Sequence, residues 1–326
     1  MQSKMLGVGS YVPEYRLTNA ELERLVETSD EWIVQRTGIH ERRIAKGKRT
    51  ADMALAAAQQ ALADAGVAPE EIDLILVSTV TPDSLTPTVA CRVQAALGAK
   101  NAAALDFNAA CSGFVYAVEM ADSYIRSGKK KRVLVISAER LHSVIDYTDR
   151  TTCVLFGDGA GAAVFAPSGD GSGVLSTYSM ADGTMGDALY IGALPVEDDP
   201  FGASRPTVTD TRYLTMAGND VFRFTATAVP AAIDKALEQV GKTADEVDWF
   251  VLHQANQRII KMVAKKYGLD ERKIYINMDR FGNTSSASVP LCLAEMKQKG
   301  LLHEGQLILL AGFGGGLTYG SALIRL

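Results

Sequence analysis

The stretch Ala61-Leu62-Ala63-Asp64-Ala65-Gly66, followed by Pro69-Glu70-Glu71-Ile72-Asp73-Leu74-Ile75-Leu76-Val77, decides the fold because the chain carries it twice. Its second copy is Ala236-Leu237-Glu238-Gln239-Val240-Gly241, then Ala244-Asp245-Glu246-Val247-Asp248-Trp249-Phe250-Val251-Leu252. The offset is constant, 175 residues from Ala61 to Ala236 and from Val77 to Leu252. Each copy reads as an amphipathic helix stopped by glycine, an acidic turn and a buried strand. The same offset carries Ser78 onto His253 and Asn108 onto Asn283. Further on the offset drifts. Helices end at Gly128 and Gly300, buried strands follow at 133–136 and 307–310, and each half closes on a glycine-rich strand, 161–165 and 320–324. One matching unit is weak evidence, since helix–turn–strand units look alike. Several in one order predict two fused α/β halves packed face to face, with apolar strands covered on both sides. The halves are expected over 1–170 and 216–326, joined by an excursion over 171–215. Within it, 188–212 is rich in Pro, Asp and Gly, as a solvated linker or a lid would be.

Composition bounds the function. With 326 residues the chain is long enough for two such halves. A net charge of −5 argues against nucleic-acid binding. Cys91, Cys111, Cys153 and Cys292 are widely spaced with no CxxC pair, and the four histidines form no HxxxH pair. That suits reduced thiols and no metal site. The first apolar run, Met5-Leu6-Gly7-Val8-Gly9, reads as a strand, and no run is long enough to span a bilayer. A cytoplasmic protein with no membrane partner is expected.

Three polar positions at strand ends stand out. Cys111 opens a helix in Asn108-Ala109-Ala110-Cys111-Ser112-Gly113-Phe114. A buried cysteine is ordinarily a small hydrophobe. At a helix N-terminus, unpaired N–H groups and the helix dipole favour thiolate over a thiol of pKa about 8.5. A nucleophile is therefore expected here. His253 follows a strand at 248–252, where α/β folds place chemistry. A histidine there can equally be structural. Asn283 lies in Gly282-Asn283-Thr284-Ser285-Ser286, between a short strand expected at 273–278 and the next helix. Alone it reads as a capping turn, but the duplication matches it to the run leading into Cys111. Gly312-Phe313-Gly314-Gly315-Gly316 is expected as a turn after a strand at 307–310, offering backbone N–H groups to a ligand. It lacks the Lys-Ser/Thr of a phosphate loop. Gly157-Asp158-Gly159-Ala160-Gly161 leads into a strand, which excludes a dinucleotide fingerprint.

Taken together, the segments resemble β-ketoacyl-acyl-carrier-protein synthase III, of the thiolase superfamily. The carriers are Thr28-Ser29-Asp30-Glu31-Trp32-Ile33-Val34-Gln35-Arg36-Thr37-Gly38-Ile39, Ala109-Ala110-Cys111-Ser112-Gly113-Phe114, Phe156-Gly157-Asp158-Gly159-Ala160-Gly161-Ala162, Met216-Ala217-Gly218-Asn219, His253-Gln254-Ala255-Asn256, Gly282-Asn283-Thr284-Ser285 and Phe313-Gly314-Gly315-Gly316. The resemblance covers essentially the whole chain. It implies a thiolase-like duplicated αβαβα five-layered α/β fold and a homodimer. The implied reaction is the first condensation of type II fatty-acid synthesis, between an acyl-CoA and malonyl-acyl carrier protein, with no cofactor. By the same resemblance Cys111 carries the acyl group, His253 and Asn283 stabilise the enolate, and the N–H groups of Cys111 and Gly315 form an oxyanion hole.

Further positions carry over in the same way. Trp32, Arg36, Thr37, Arg150, Gly218 and Asn256 match coenzyme A-binding positions, an aromatic ring and a guanidinium being suited to stacking on a base. Arg223, Arg258, Lys265 and Lys266 match a basic patch for the acidic carrier protein, although such a helix face can also be mere solvation. No second cysteine lies in the His253 or Asn283 motifs or the last glycine loop, unlike a thiolase that joins two acyl-CoA molecules. Val80 stands where a 3-hydroxy-3-methylglutaryl-CoA synthase has a glutamate, and the presence of Cys111 separates the chain from a silent partner subunit. The competing reading is a same-fold acyltransferase of secondary metabolism that does not decarboxylate. By the same resemblance Thr86 stands where acetyl-preferring relatives have a phenylalanine reaching across the dimer to floor the acyl pocket, which implies room for a longer or branched primer.

Overall fold

The computed structural model describes residues 2–192 and 213–326. In chain order its strands are β1 (Gln2–Tyr11), β2 (Arg16–Thr18), β3 (Glu41–Arg43), β4 (Leu74–Ser78), β5 (Ala103–Phe107), β6 (Val133–Glu139), β7 (Gly159–Ser168), β8 (Gly173–Ala181), β9 (Leu189–Tyr190), β10 (Thr215–Met216), β11 (Trp249–Leu252), β12 (Leu307–Gly314) and β13 (Thr318–Arg325). One large sheet has the order β1-β7-β6-β4-β5, the other β8-β13-β12-β11. The first four strands of each correspond. Neighbours are antiparallel, antiparallel and parallel in both. The repeat read from the sequence is thus a repeat of topology.

Side-chain alternation along the strands builds the layers, because successive residues face opposite sides of a sheet. Leu74, Leu76, Val133 and Val135 face a central core with Ile308 and Leu310 of the second sheet. That core is filled from between the sheets by Phe114, Val118 and Ala121 of the helix Gly113–Arg126 and by Val289, Leu293 and Met296 of the helix Ser288–Gln298. Ile75, Val77, Leu134 and Ile136 point outward onto the alanine-rich helix Thr50–Ala65 and the helix Val89–Leu97. Leu309, Ala311, Phe250 and Leu252 point outward onto the helices Gly218–Glu238 and Gln257–Tyr267. The order is helix, sheet, helix, sheet, helix, the expected five layers.

Three local expectations are corrected. The strand expected at 273–278 is a single bridge from Phe250 to Ile274. Glu271–Lys273 is a 3-10 turn instead, and Lys273 Nζ donates to the carbonyls of Asp245 and Val247. The glycine turn expected at 312–316 starts later. Gly312, Phe313 and Gly314 remain in β12, paired with β13 as far as Thr318, and the turn is Gly315–Leu317. Residues 173–181, expected in the connection, form β8, which pairs with β13 and completes the second sheet. Most of the 188–212 stretch expected as linker or lid lies outside the described residues. At its edge β9 pairs antiparallel with β10. No helix among the described residues is long and apolar enough to cross a membrane.

Candidate active site

The two halves present the same turn at the same place. After β5, the 3-10 turn Ala110–Ser112 leads into the helix Gly113–Arg126. Its counterpart, 175 residues on, is the turn Ser285–Ala287 leading into the helix Ser288–Gln298. Ala110 has φ +45° and Ser285 φ +51°, and among the described residues these are the non-glycine positions in that region. In each case the asparagine two residues earlier holds the strained backbone: Asn108 Oδ1 accepts from Ala110 N–H at 3.0 Å, and Asn283 Oδ1 from Ser285 N–H at 2.9 Å. Strain supported in this way is characteristic of functional sites. By this register Cys111 matches Ser286, and Ser288, at the place of Gly113, faces His253.

Two glycines let the halves close around Cys111. A Cβ on Gly314 of β12 would lie 2.6 Å from Cys111 N and 2.8 Å from its Cβ. A Cβ on Gly113 would lie 1.7 Å from Ser78 Oγ in its own half and 3.2 Å from Ser286 Cβ in the other. Cys111 is 7% exposed. Burial pushes its thiol up to about 12, opposed by the neighbouring Ser285 hydroxyl and reinforced by the charge of Glu139. The thiolate expected at a helix start is therefore corrected. In the free protein burial outweighs the turn, and Cys111 rests as a thiol.

His253 directly follows β11 and is 1% exposed. Its N–H donates to Ala311 O of β12 at 2.8 Å, and its ring meets Phe313 edge-on with centroids 5.0 Å apart. Phe313 directly precedes Gly314, so β12 bears on His253 and Cys111 through adjacent residues. Burial pushes the imidazole down to about 3, which keeps it uncharged. Nδ1 lies 2.7 Å from Ser288 Oγ, and Gln254 N–H donates to that same oxygen at 3.3 Å. When the Ser288 hydroxyl donates to Nδ1, the ring hydrogen sits on Nε2. Nε2 and Asn283 Nδ2 have no hydrogen-bond partner among the described residues, although both side chains are buried. Sequence reading missed Ser285 and Ser288. The 175-residue offset that paired Asn108 with Asn283 would have reached both.

A cavity of about 940 Å³ opens beside the nucleophile, lined by Cys111, Ser285 and Gly315 together with Val80, Leu85, Phe156 and Leu189. His253 and Asn283 lie outside its lining. Thr86 is exposed and does not line it, whereas its neighbours Leu85 and Thr88 do. Trp32 carries two cations on its ring, Arg36 at 4.8 Å and Arg150 at 5.0 Å, and Arg150 also donates to Glu27 O. Thr37 is buried and satisfied internally, donating to Ile33 O and accepting from Ile39 N. Asn256 caps the helix Gln257–Tyr267 through Arg258 N, and Gly218 is exposed at the start of Gly218–Glu238. On the surface Lys266 pairs with Asp234 at 3.3 Å and Arg223 with Asp220 at 3.9 Å. Arg258 and Lys265 are exposed and form no ion pair among the described residues. The described residues hold no cluster of three or more His, Cys, Asp or Glu arranged for a metal ion.

Comparison with known proteins places this arrangement. The family model described as 3-Oxoacyl-[acyl-carrier-protein (ACP)] synthase III matches residues 105–183, and the model of its C-terminal part matches 237–326. A beta-ketoacyl-[acyl-carrier-protein] synthase III of Clostridium acetobutylicum is 45% identical over 322 residues, covering 99% of this chain and 98% of that protein. One of Xanthomonas campestris pv. campestris is 48% identical over 327 residues, with coverage of 99% and 98%. The crystal structure of 3-oxoacyl-[acyl-carrier-protein] synthase III from Aquifex aeolicus superposes with a TM-score of 0.92 at 44% identity, covering 99% of this chain and all of that one. The chain is therefore an acyltransferase that belongs to the 3-oxoacyl-[acyl-carrier-protein] synthase III family of thiolase-fold condensing enzymes.

Proposed function

We propose that the protein joins an acyl-CoA primer to malonyl-acyl carrier protein, with Cys111 as nucleophile and His253 and Asn283 as enolate-stabilising donors. The observation that carries this reading is that Nε2 of His253 and Nδ2 of Asn283 have no protein hydrogen-bond partner among the described residues. Neither atom is sealed from solvent, so both are open to a ligand oxygen.

In the first step the Cys111 sulfur attacks the acyl-CoA carbonyl carbon. The carbon–sulfur bond to coenzyme A breaks, and the thiol proton leaves on the coenzyme A sulfur. The N–H groups of Cys111 and Gly315 receive the developing oxyanion. In the second step the malonyl group loses CO₂, and the electron pair of the broken carbon–carbon bond becomes an enolate. Its oxygen accepts from His253 and Asn283. The enolate carbon then attacks the Cys111 thioester, the product leaves as 3-oxoacyl-acyl carrier protein, and the freed sulfur takes a proton from solvent. A neutral imidazole suits this role, because it donates without needing to be charged.

Trp32, Arg36 and Arg150 are assigned to the adenine end of coenzyme A, with Thr37, Gly218 and Asn256 along the remainder. Arg258 and Lys265, both without an ion pair among the described residues, with Arg223 and Lys266, are assigned to the carrier protein. The cavity is near the upper end of the range of about 300–1,000 Å³ usual for small-molecule sites. A primer longer than acetyl or branched is expected. Leu85, 72% exposed at the cavity, is suited to cover by a second copy in a homodimer. Incubation with acyl-CoA primers from C2 to C8 and malonyl-acyl carrier protein should release CO₂ and leave an acyl adduct on Cys111, absent in Cys111→Ala. An adduct without CO₂ would favour the non-decarboxylating acyltransferase, and no adduct would overturn the reading.

A further inference from the structure

The duplicated half contains a second set of buried groups that the reaction leaves unused, centred on Glu139. The sheet registers pair Val77 with Ile136 and Leu252 with Ala311, so Glu139 at the end of β6 corresponds to Gly314 at the end of β12. Gly314 leaves room against Cys111. Glu139 fills the equivalent room against Ser286, the counterpart of Cys111.

Glu139 is fully buried. One carboxylate oxygen accepts from Ser286 Oγ at 2.7 Å and Ser285 Oγ at 3.2 Å. The other accepts from Val80 N at 3.0 Å, Thr81 Oγ1 at 2.9 Å and Thr79 Oγ1 at 3.3 Å. None of these partners is a cation. A buried carboxylate satisfied only by neutral donors is expensive to hold, and here it joins the segment after β4 in the first half to the second-half turn. Ser285 also lines the same cavity as Cys111. We propose that Glu139 is a positioning residue for the nucleophile: through Ser285 and Ser286 its carboxylate clamps the Ser285–Ala287 turn against Cys111. This rests on the assignment of Cys111 as the acylated residue.

The groups around the sulfur give signed consequences. From β6 it is faced by the charge of Glu139, which disfavours thiolate, and from the turn by the hydroxyl of Ser285, which favours it. His253, just after β11, is uncharged. Glu139→Gln keeps the volume, removes the charge and turns an amide against donors. Ser285→Ala removes the link alone, and Ala110 shows that alanine occupies the same backbone conformation in the other half.

The test measures Cys111 in the full-length protein in two ways. The first is its acylation rate with saturating acyl-CoA. The second is its alkylation by iodoacetamide against pH, resolved by peptide mass because Cys91 is exposed. Misplacing a reacting group by about 1 Å costs about 100-fold, so acylation in either folded variant should fall about 10- to 100-fold with KM little changed. The alkylation midpoint should move to lower pH in Glu139→Gln and to higher pH in Ser285→Ala. A folded Glu139→Gln protein with wild-type acylation and an unmoved midpoint overturns the proposal. Should that variant not fold, wild-type behaviour of Ser285→Ala overturns it. Failure of acyl-CoA to modify the wild-type protein would instead count against the parent assignment, while the alkylation midpoints would still report on the clamp.

Discussion

Cys111 and His253 are both shifted by burial, but in directions that suit different tasks. The sulfur keeps its proton until an acyl carbonyl is present to attack. The imidazole is kept neutral and stays a donor across the physiological range. Burial also makes these groups visible in stability. His253 falls from its ordinary 6.5 to about 3, so between those values the unfolded chain binds a proton that the folded one does not. Its contribution is complete above pH 6.5 and is lost as pH falls toward 3. Glu139 rises from 4.5 to about 7, so between those values the folded chain holds the extra proton. Its contribution is complete below pH 4.5 and is lost as pH rises toward 7. From 6.5 to 4.5 the two slopes oppose each other, each at about 1.4 kcal/mol per pH unit. Glu139→Gln removes one of them. Urea titrations across this window should show the variant losing stability on acidification where the wild type is nearly flat, and parallel curves would refute the assignment. At this scale the sequence disclosed which residue types mattered but not their protonation. Burial depends on residues far away in the chain, so a helix start pointed to thiolate where the packed site holds a thiol.

Elements bring these residues together through close approach. The end of β12 is a spacer one glycine wide between the central sheet and the nucleophile turn. Gly314→Ala would place a carbon against Cys111 backbone and Cβ, where no flexible side chain can yield. Overpacking of this kind costs about 1–3 kcal/mol, and the displaced turn should acylate about 100-fold more slowly. Thermal unfolding and single-turnover acylation check both parts, and an unchanged acylation rate would refute the spacer role. The repeat made β4, β6, β7, β11, β12 and β13 legible, because alternate apolar residues serve two cores in each sheet. It did not disclose that 273–278 shrinks to one bridge. There the apolar residues were present, but lysine contacts to two carbonyls replaced a ladder. Nor did it place β8, whose partners lie at the far end of the chain.

Across the whole molecule, a protein of net charge −5 keeps basic side chains on one helix, Gln257–Tyr267, whose Ile259, Ile260 and Val263 are buried. Arg258, Lys261 and Lys265 are the members without an ion pair among the described residues. Arg258→Glu should raise KM for malonyl-acyl carrier protein several-fold, more at low than at high salt, and leave acylation by acyl-CoA unchanged. Equal effects on both substrates would refute a docking role. The ordered motifs made family and fold readable from sequence. The docking of one half's turn against the other half was not readable, since it depends on long-range packing. The central claim is that Cys111 takes the acyl group while His253 and Asn283 serve the later loss of CO₂. It is tested most directly by following both half-reactions in His253→Ala and Asn283→Ala. Acyl adduct on Cys111 should form at close to the wild-type rate, and CO₂ release should fall about 10²- to 10³-fold in each. Wild-type CO₂ release in both variants, or loss of the adduct in step with CO₂, would contradict the account.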